Sequence, residues 1–143
     1  MTRKERIDYL TNLTEKQLFE LMSTRYTGLI DLTIDNPTSL IDWYLPSSNT
    51  YMEAKCRKKH YETIIIQKDK WDVLIQKESS WYVDSTPNGI WYFDIHKIEE
   101  PNWREKYLPQ SQQFYSQGDI IKIIGEIPIN TGEQLDHLLI PYS

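Results

Sequence analysis

Hydrophobic and polar positions repeat with two different periods along the 143-residue chain. From residue 18 onward, Leu18, Phe19, Leu21, Met22 and Tyr26 recur at helical spacing. Just ahead of them, Thr14-Glu15-Lys16-Gln17 has the form of a capping box, with Leu13 and Leu18 placed as a hydrophobic staple. The pattern predicts a helix that starts at Thr14 and ends near Gly28, preceded by a polar lead-in over residues 1–13 that is loose or briefly helical. The period then shortens to two. Leu29, Asp31 and Thr33 alternate with Ile30, Leu32 and Ile34, which predicts a first strand with one face in the core. Asp35-Asn36-Pro37 turns the chain into a second strand over Thr38 to Leu45. Pro46 to Asn49 are turn formers that fold a third strand back as a hairpin. In that third strand Tyr51, Glu53, Lys55 and Arg57 share one face, and Met52, Ala54 and Cys56 share the other.

Downstream, Glu62 to Ile66 is β-branched and extended, and Asp69 caps a predicted helix through about Glu78 with an apolar stripe of Trp71, Leu74 and Ile75. Trp81 to Asp84 and Ile90 to Ile95 flank Pro87-Asn88-Gly89, a strong hairpin signal whose aromatics suit cross-strand packing better than base stacking. Residues Pro101 to Gln117 are polar and predict an irregular wrap anchored by Trp103 and Phe114. Asp119 to Gly125 predicts a further strand, and the remaining tail holds a turn of helix at Glu133 to Leu138. No repeat or linker divides the chain. These elements predict one α/β (α+β) domain over residues 1–143, with a core at about 14–95 and a C-terminal strand and wrapping tail over 96–143.

Composition narrows the choice. The hydrophobic fraction is 39% and the mean hydropathy −0.61, and no apolar run reaches the length of a membrane span, so no membrane association is expected. The charged start Met1 to Arg6 has no apolar signal core behind it, which sets a cytoplasmic expectation. Cys56, the sole cysteine, lies on the apolar face of the third strand and reads as a packed thiol. His60, His96 and His137 lack zinc-site spacing, and no Gly-rich phosphate loop or nucleophile elbow is present. A net charge of −5 argues against a general nucleic-acid coat. The cations are nevertheless local: Lys55, Arg57, Lys58, Lys59, Lys68 and Lys70 crowd around the third strand. The same run also fits a solvated basic turn.

The hairpin at Pro46 to Asn49 brings Asp42 beside Glu53, on the face that also carries Lys55. Hard carboxylate oxygens bind Mg²⁺, which needs only one or two of them and completes its octahedron with water and substrate phosphate. An ammonium beside such a site orients or deprotonates an attacking water. Asp31 and Asp35 are rival acidic ligands, but Asp35 belongs to a turn and Asp31 lies a strand further from Glu53. Glu15, in the first helical turn, projects on the side of Leu18 and Phe19, although helix-dipole stabilisation alone also accounts for it.

Asp42, Glu53-Ala54-Lys55 and the downstream segment Ile65 to Leu74 resemble the PD-(D/E)xK nuclease superfamily over roughly residues 14–95, and in particular its small phage and Holliday-junction-resolvase-like endonucleases. Ile41 stands where the name-giving proline would be. The resemblance implies a restriction-endonuclease-like fold, a mixed central sheet flanked by the Thr14 and Asp69 helices. It implies Mg²⁺- or Mn²⁺-dependent cleavage of DNA phosphodiesters, with branched or structured DNA as a substrate class and a homodimer as the assembly. Asp42, Glu53 and Lys55 take the catalytic roles. Asp42, Glu53, the Ala54 carbonyl and Glu15 form the metal set, and Arg57, Lys58, Gln67, Lys68 and Lys70 contact DNA. The alternative is a non-catalytic nucleic-acid or protein-binding module that keeps the fold.

Overall fold

Helix starts are fixed locally, by side chains that replace the hydrogen bonds missing at an N-terminus. A computed structural model describes residues 1–109 and 119–140. In it, α1 (Arg3–Thr11) opens with a capping box between Thr2 and Glu5, and α2 (Glu15–Arg25) with the predicted one between Thr14 and Gln17. Leu13 and Leu18 are buried together, as the staple requires. The lead-in is thus a complete helix. Helix α2 stops at Arg25, and Gly28 follows in the turn at φ +87°.

The remaining elements are β1 (Ile30–Asp31), β2 (Trp43–Leu45), β3 (Thr50–Cys56), β4 (Thr63–Gln67), α3 (Lys68–Ile75), β5 (Ser79–Thr86), β6 (Gly89–Asp94), β7 (Arg104–Pro109), β8 (Asp119–Pro128), β9 (Glu133–Gln134) and α4 (Asp136–Leu139). They form one α+β domain with two sheets. The larger runs β1-β2-β3-β5-β6-β9, and the smaller runs β4-β8-β7. Strands β3 and β5 pair in parallel, and every other described pair is antiparallel. A parallel pair needs a crossover. Here β4 and α3 provide it, which carries Gln67, Lys68 and Lys70 past the face of β3.

The alternation of β3 divides the core. Met52 and Ala54 pack with Leu10, Leu18, Met22, Val83 and Leu139, so α1, α2 and α4 cover one side of the large sheet. On the other side, Tyr82 and Phe93 pack with Ile64, Ile66, Trp71, Leu74 and Ile127 from α3 and the small sheet. Glu53 and Lys55 face this second layer. Cys56 belongs to the first, where burial pushes its thiol up to about 12. Among the described residues no helix is long and apolar enough to cross a membrane.

Several expected elements differ. Only Ile30 and Asp31 of the Leu29–Ile34 stretch form strand; Leu32 begins a turn, and Ile30 and Ile34 are exposed. The second strand is Trp43–Leu45, shorter than Thr38 to Leu45. Gln67, and not Asp69, occupies the N-cap of α3, and the helix stops at Ile75, itself exposed. The β5–β6 hairpin closes over Pro87-Asn88, because Thr86 pairs with Gly89. Part of the expected wrap is regular structure, since Arg104–Pro109 pairs with β8. Phe114 lies outside the described residues. In the tail, the helical turn begins at Asp136, after Glu133 and Gln134 have added to the large sheet.

Candidate active site

Trp43 pairs with Met52, so extending that antiparallel register by one residue sets Asp42 opposite Glu53. Strand β2 has already ended there. Asp42 Oδ2 accepts the Ala54 N–H at 2.9 Å, and the Asp42 carbonyl accepts the Leu32 N–H at 2.8 Å, which anchors the residue from both directions. Beside it, Glu53 is only 5% exposed. Lys70 Nζ, delivered by α3, stands 3.6 Å from Glu53 Oε1, and the buried Oε2 has no hydrogen-bond partner among the described residues.

A carboxylate in this position is poorly solvated. Desolvation first, and the like charge of Asp42 second, push the Glu53 carboxyl up to about 7, against the opposing pull of Lys70 and Lys55. Glu15 is also raised, by desolvation and then by Asp42, and Lys55 opposes the shift. Glu15 therefore feels the charges of Asp42 and Lys55. Two depressions meet these groups. Glu53, Lys55, Arg57, Gln67, Lys70 and Tyr82 are among the residues lining a cleft of about 170 Å³. Asp42, Glu15 and Asp31 line a groove of about 560 Å³ on the α2 side.

Three of the expected DNA contacts have partners within the fold, and of these Arg57 also lines the Glu53 cleft. Arg57 Nε bonds both carboxylate oxygens of the fully buried Asp84, at 2.9 and 3.1 Å, and one terminal nitrogen donates to the Ile65 carbonyl and the Tyr82 hydroxyl. Its charge is answered inside the fold. Lys58 follows Cys56 onto the helix-covered face and donates to the Thr11 carbonyl, away from Glu53. Lys68 pairs with Asp72 at 2.8 Å, lies over the Trp103 ring and borders a different depression beside Ile121 and Ile123. Gln67 and Lys70 do reach the cleft. Lys70 also donates to the Leu40 carbonyl at 3.3 Å, so it braces the loop that leads to Asp42. Of the rival acids, Asp31 is tied to Thr33 through its own Oδ1.

Tyr82 and Asp84 went unassigned in the sequence. They pair with Glu53 and Lys55 across the β3–β5 ladder, and Asp84 holds Arg57. Burial is the main reason Asp84 is raised, to about 6, with Arg57 opposing. A charged residue inside an aromatic strand was the available signal.

No protein-family model, curated protein or solved structure matches this chain. Among the described residues, no group of three or more His, Cys, Asp and Glu side chains is arranged to hold a metal ion. A hard divalent cation needs fewer. The donor set at Glu53 fits one in a specific respect: a buried carboxylate oxygen without a partner, beside a second carboxylate, is relieved by a cation that contacts both.

Proposed function

We propose that this chain is a Mg²⁺- or Mn²⁺-dependent nuclease that hydrolyses DNA phosphodiesters, with Asp42, Glu53 and Lys55 as its centre. The observation that carries the reading is Glu53: buried, raised to about 7, and left with Oε2 unpartnered next to Asp42 and Lys55. Lys70 answers Oε1 alone, and a buried carboxylate oxygen left without a hydrogen bond costs stability, which supports a role for Glu53 beyond holding the fold together. Asp42 and Glu53 would hold the metal. The Ala54 carbonyl is a third candidate, because a strand residue's N–H and C=O point to the same side and the Ala54 N–H is directed at Asp42. A helix on each face of a mixed sheet is the arrangement that a restriction-endonuclease-like fold requires, and it supports the same reading.

A bound divalent ion would supply Lewis-acid charge and a water of lowered pKa. The protein's own part is positioning. Asp42, fixed by the Ala54 N–H, and Glu53, fixed in a strand bonded on both edges, set the site without needing to reorganise. Lys55 projects from the same face into the cleft, where its ammonium orients the attacking water and stabilises charge growing on the phosphate oxygens. Gln67 at the α3 N-cap borders the same cleft as a phosphate donor.

The test is a panel of labelled duplex, flap, junction and single-stranded DNA incubated with Mg²⁺, Mn²⁺ or EDTA. Cleavage in the metals and none in EDTA is expected, and Lys55→Met should cut at least about 10²-fold more slowly while binding normally in Ca²⁺. Wild-type cutting by Lys55→Met would sink the assignment. One observation favours a second reading. The Glu53–Lys70 pair at 3.6 Å half-satisfies the carboxylate without a metal, as a non-catalytic binding module would have it. Such a module binds DNA equally well with and without chelator.

A further inference from the structure

A second depression, of about 310 Å³, opens directly beside the Glu53 cleft and shares Arg57 and Ile65 with it as a common wall. Tyr61, Thr63, Lys106 and Glu126 also line it. The wall is rigid, because Arg57 and the Tyr82 hydroxyl both bond the Ile65 carbonyl, at 2.8 and 3.1 Å. The charges here are unequal. Glu126 is answered by Arg104 at 3.3 Å, whereas Lys106 forms no ion pair among the described residues. Tyr61, on the turn between β3 and β4, is 56% exposed, so an aromatic ring stands at the rim with a lysine from β7 lining the same depression.

We propose that this depression is a subsite for one unpaired nucleotide, so that the strand lying at Glu53 and Lys55 continues past Arg57 and enters it as single-stranded nucleic acid. The inference rests on the nuclease reading and names its substrate class: DNA in which a single strand adjoins the scissile phosphate. Tyr61 stacks on the base and Lys106 meets the next phosphate. Stacking selects unpaired strands, because the faces of bases in a duplex are already covered by their neighbours. A duplex alone gives a ring in this position nothing to contact. Among the described residues that line this depression, Lys106 is the cation without an ion pair and is therefore open to a phosphate.

The experiment measures fluorescence anisotropy of a labelled duplex carrying a single-stranded overhang, on either end polarity, and of the blunt duplex, in Ca²⁺. Wild type should bind one overhang more tightly than the blunt end. Tyr61→Ala should remove about tenfold in affinity for the overhang and none for the blunt duplex. Lys106→Ala should lower the salt dependence of overhang binding by roughly 0.7 in the log–log slope. Tyr61 is a rim residue, and unchanged urea unfolding of the variant confirms that only the contact is lost. If wild type cuts DNA in Mg²⁺ but binds blunt and overhanging ends alike, the subsite is wrong and the nuclease reading stands. If wild type neither binds nor cuts any of these DNAs, both fall together.

Discussion

Asp42 Oδ2 accepts a hydrogen bond from the Ala54 N–H at 2.9 Å, at the point where β2 has stopped and its backbone no longer supplies the acceptor. One carboxylate oxygen thus completes the sheet, and the other lies outside this hydrogen bond, where the proposed metal would meet it. Asp42→Asn keeps an acceptor for Ala54 and removes the charge that opposes Glu53. The variant should lose Mg²⁺ and Mn²⁺ binding in titration calorimetry with its thermal midpoint kept or raised. Unchanged metal affinity would move the ligand to Asp31.

Glu53 should also leave its mark on stability. Its carboxyl titrates near 7 in the fold and near its ordinary 4.5 when unfolded, so between those values the unfolded chain binds fewer protons than the native one. Stability therefore falls as pH rises from about 4.5 to about 7, by on the order of 3 kcal/mol from this group. Asp84 contributes with the same sign between its ordinary 3.8 and about 6. Denaturant unfolding should show Glu53→Gln losing the part of the decline nearest pH 7, and Mg²⁺ should bind wild type more tightly as pH passes through that value. A flat stability profile in wild type would refute the strained carboxylate.

Two lysines close in sequence should behave oppositely. Lys70 stands beside Glu53 and lines the cleft, whereas Lys58 donates to Thr11 on the helix-covered face. Lys70→Ala should lower the log–log salt slope of duplex binding by roughly 0.9, and Lys58→Ala should leave it as in wild type. Equal effects would mean that the DNA path is not the one drawn.

Arg57 is held inside the fold by the fully buried Asp84. Removing it leaves that carboxylate without its partner, a loss that typically costs about 3–5 kcal/mol. Urea unfolding of Arg57→Ala should show a large drop in midpoint, most severe above pH 6, where Asp84 is ionised. A marginal change would mean that the Arg57–Asp84 pair does not hold this part of the fold together.

What the sequence made legible was local. The Thr14–Gln17 box, the turn at Pro46 to Asn49 and the two faces of β3 each depend on neighbours a few residues away, and each appears where the pattern put it. The Thr2–Glu5 box was equally visible and would have identified α1. Alternation over Leu29 to Ile34 misled, because a turn beginning at Leu32 obeys no strand period. Partner choice was the larger gap. Arg57, Lys58 and Lys68 cluster around the motif in sequence, but their partners are Asp84, Thr11 and Asp72, and two of those three lie on other elements. Likewise the pairing of β4 with β8 joins segments far apart in the chain, which no local pattern specifies.

The large sheet ends at both sides in strands of two residues, β1 and β9. So short a row of backbone donors and acceptors is a poor template for another chain, and the sheet that bears Glu53 is shielded from strand-to-strand growth. The small sheet ends in longer strands, although Arg57 and Tyr82 already bond the Ile65 carbonyl of β4. Its outer strands, β4 and β7, run five and six residues, and β7 displays Tyr107 at 68% exposure. Among the described residues, the strand edges long enough to pair with another backbone therefore lie on the small sheet and not on the sheet that bears Glu53.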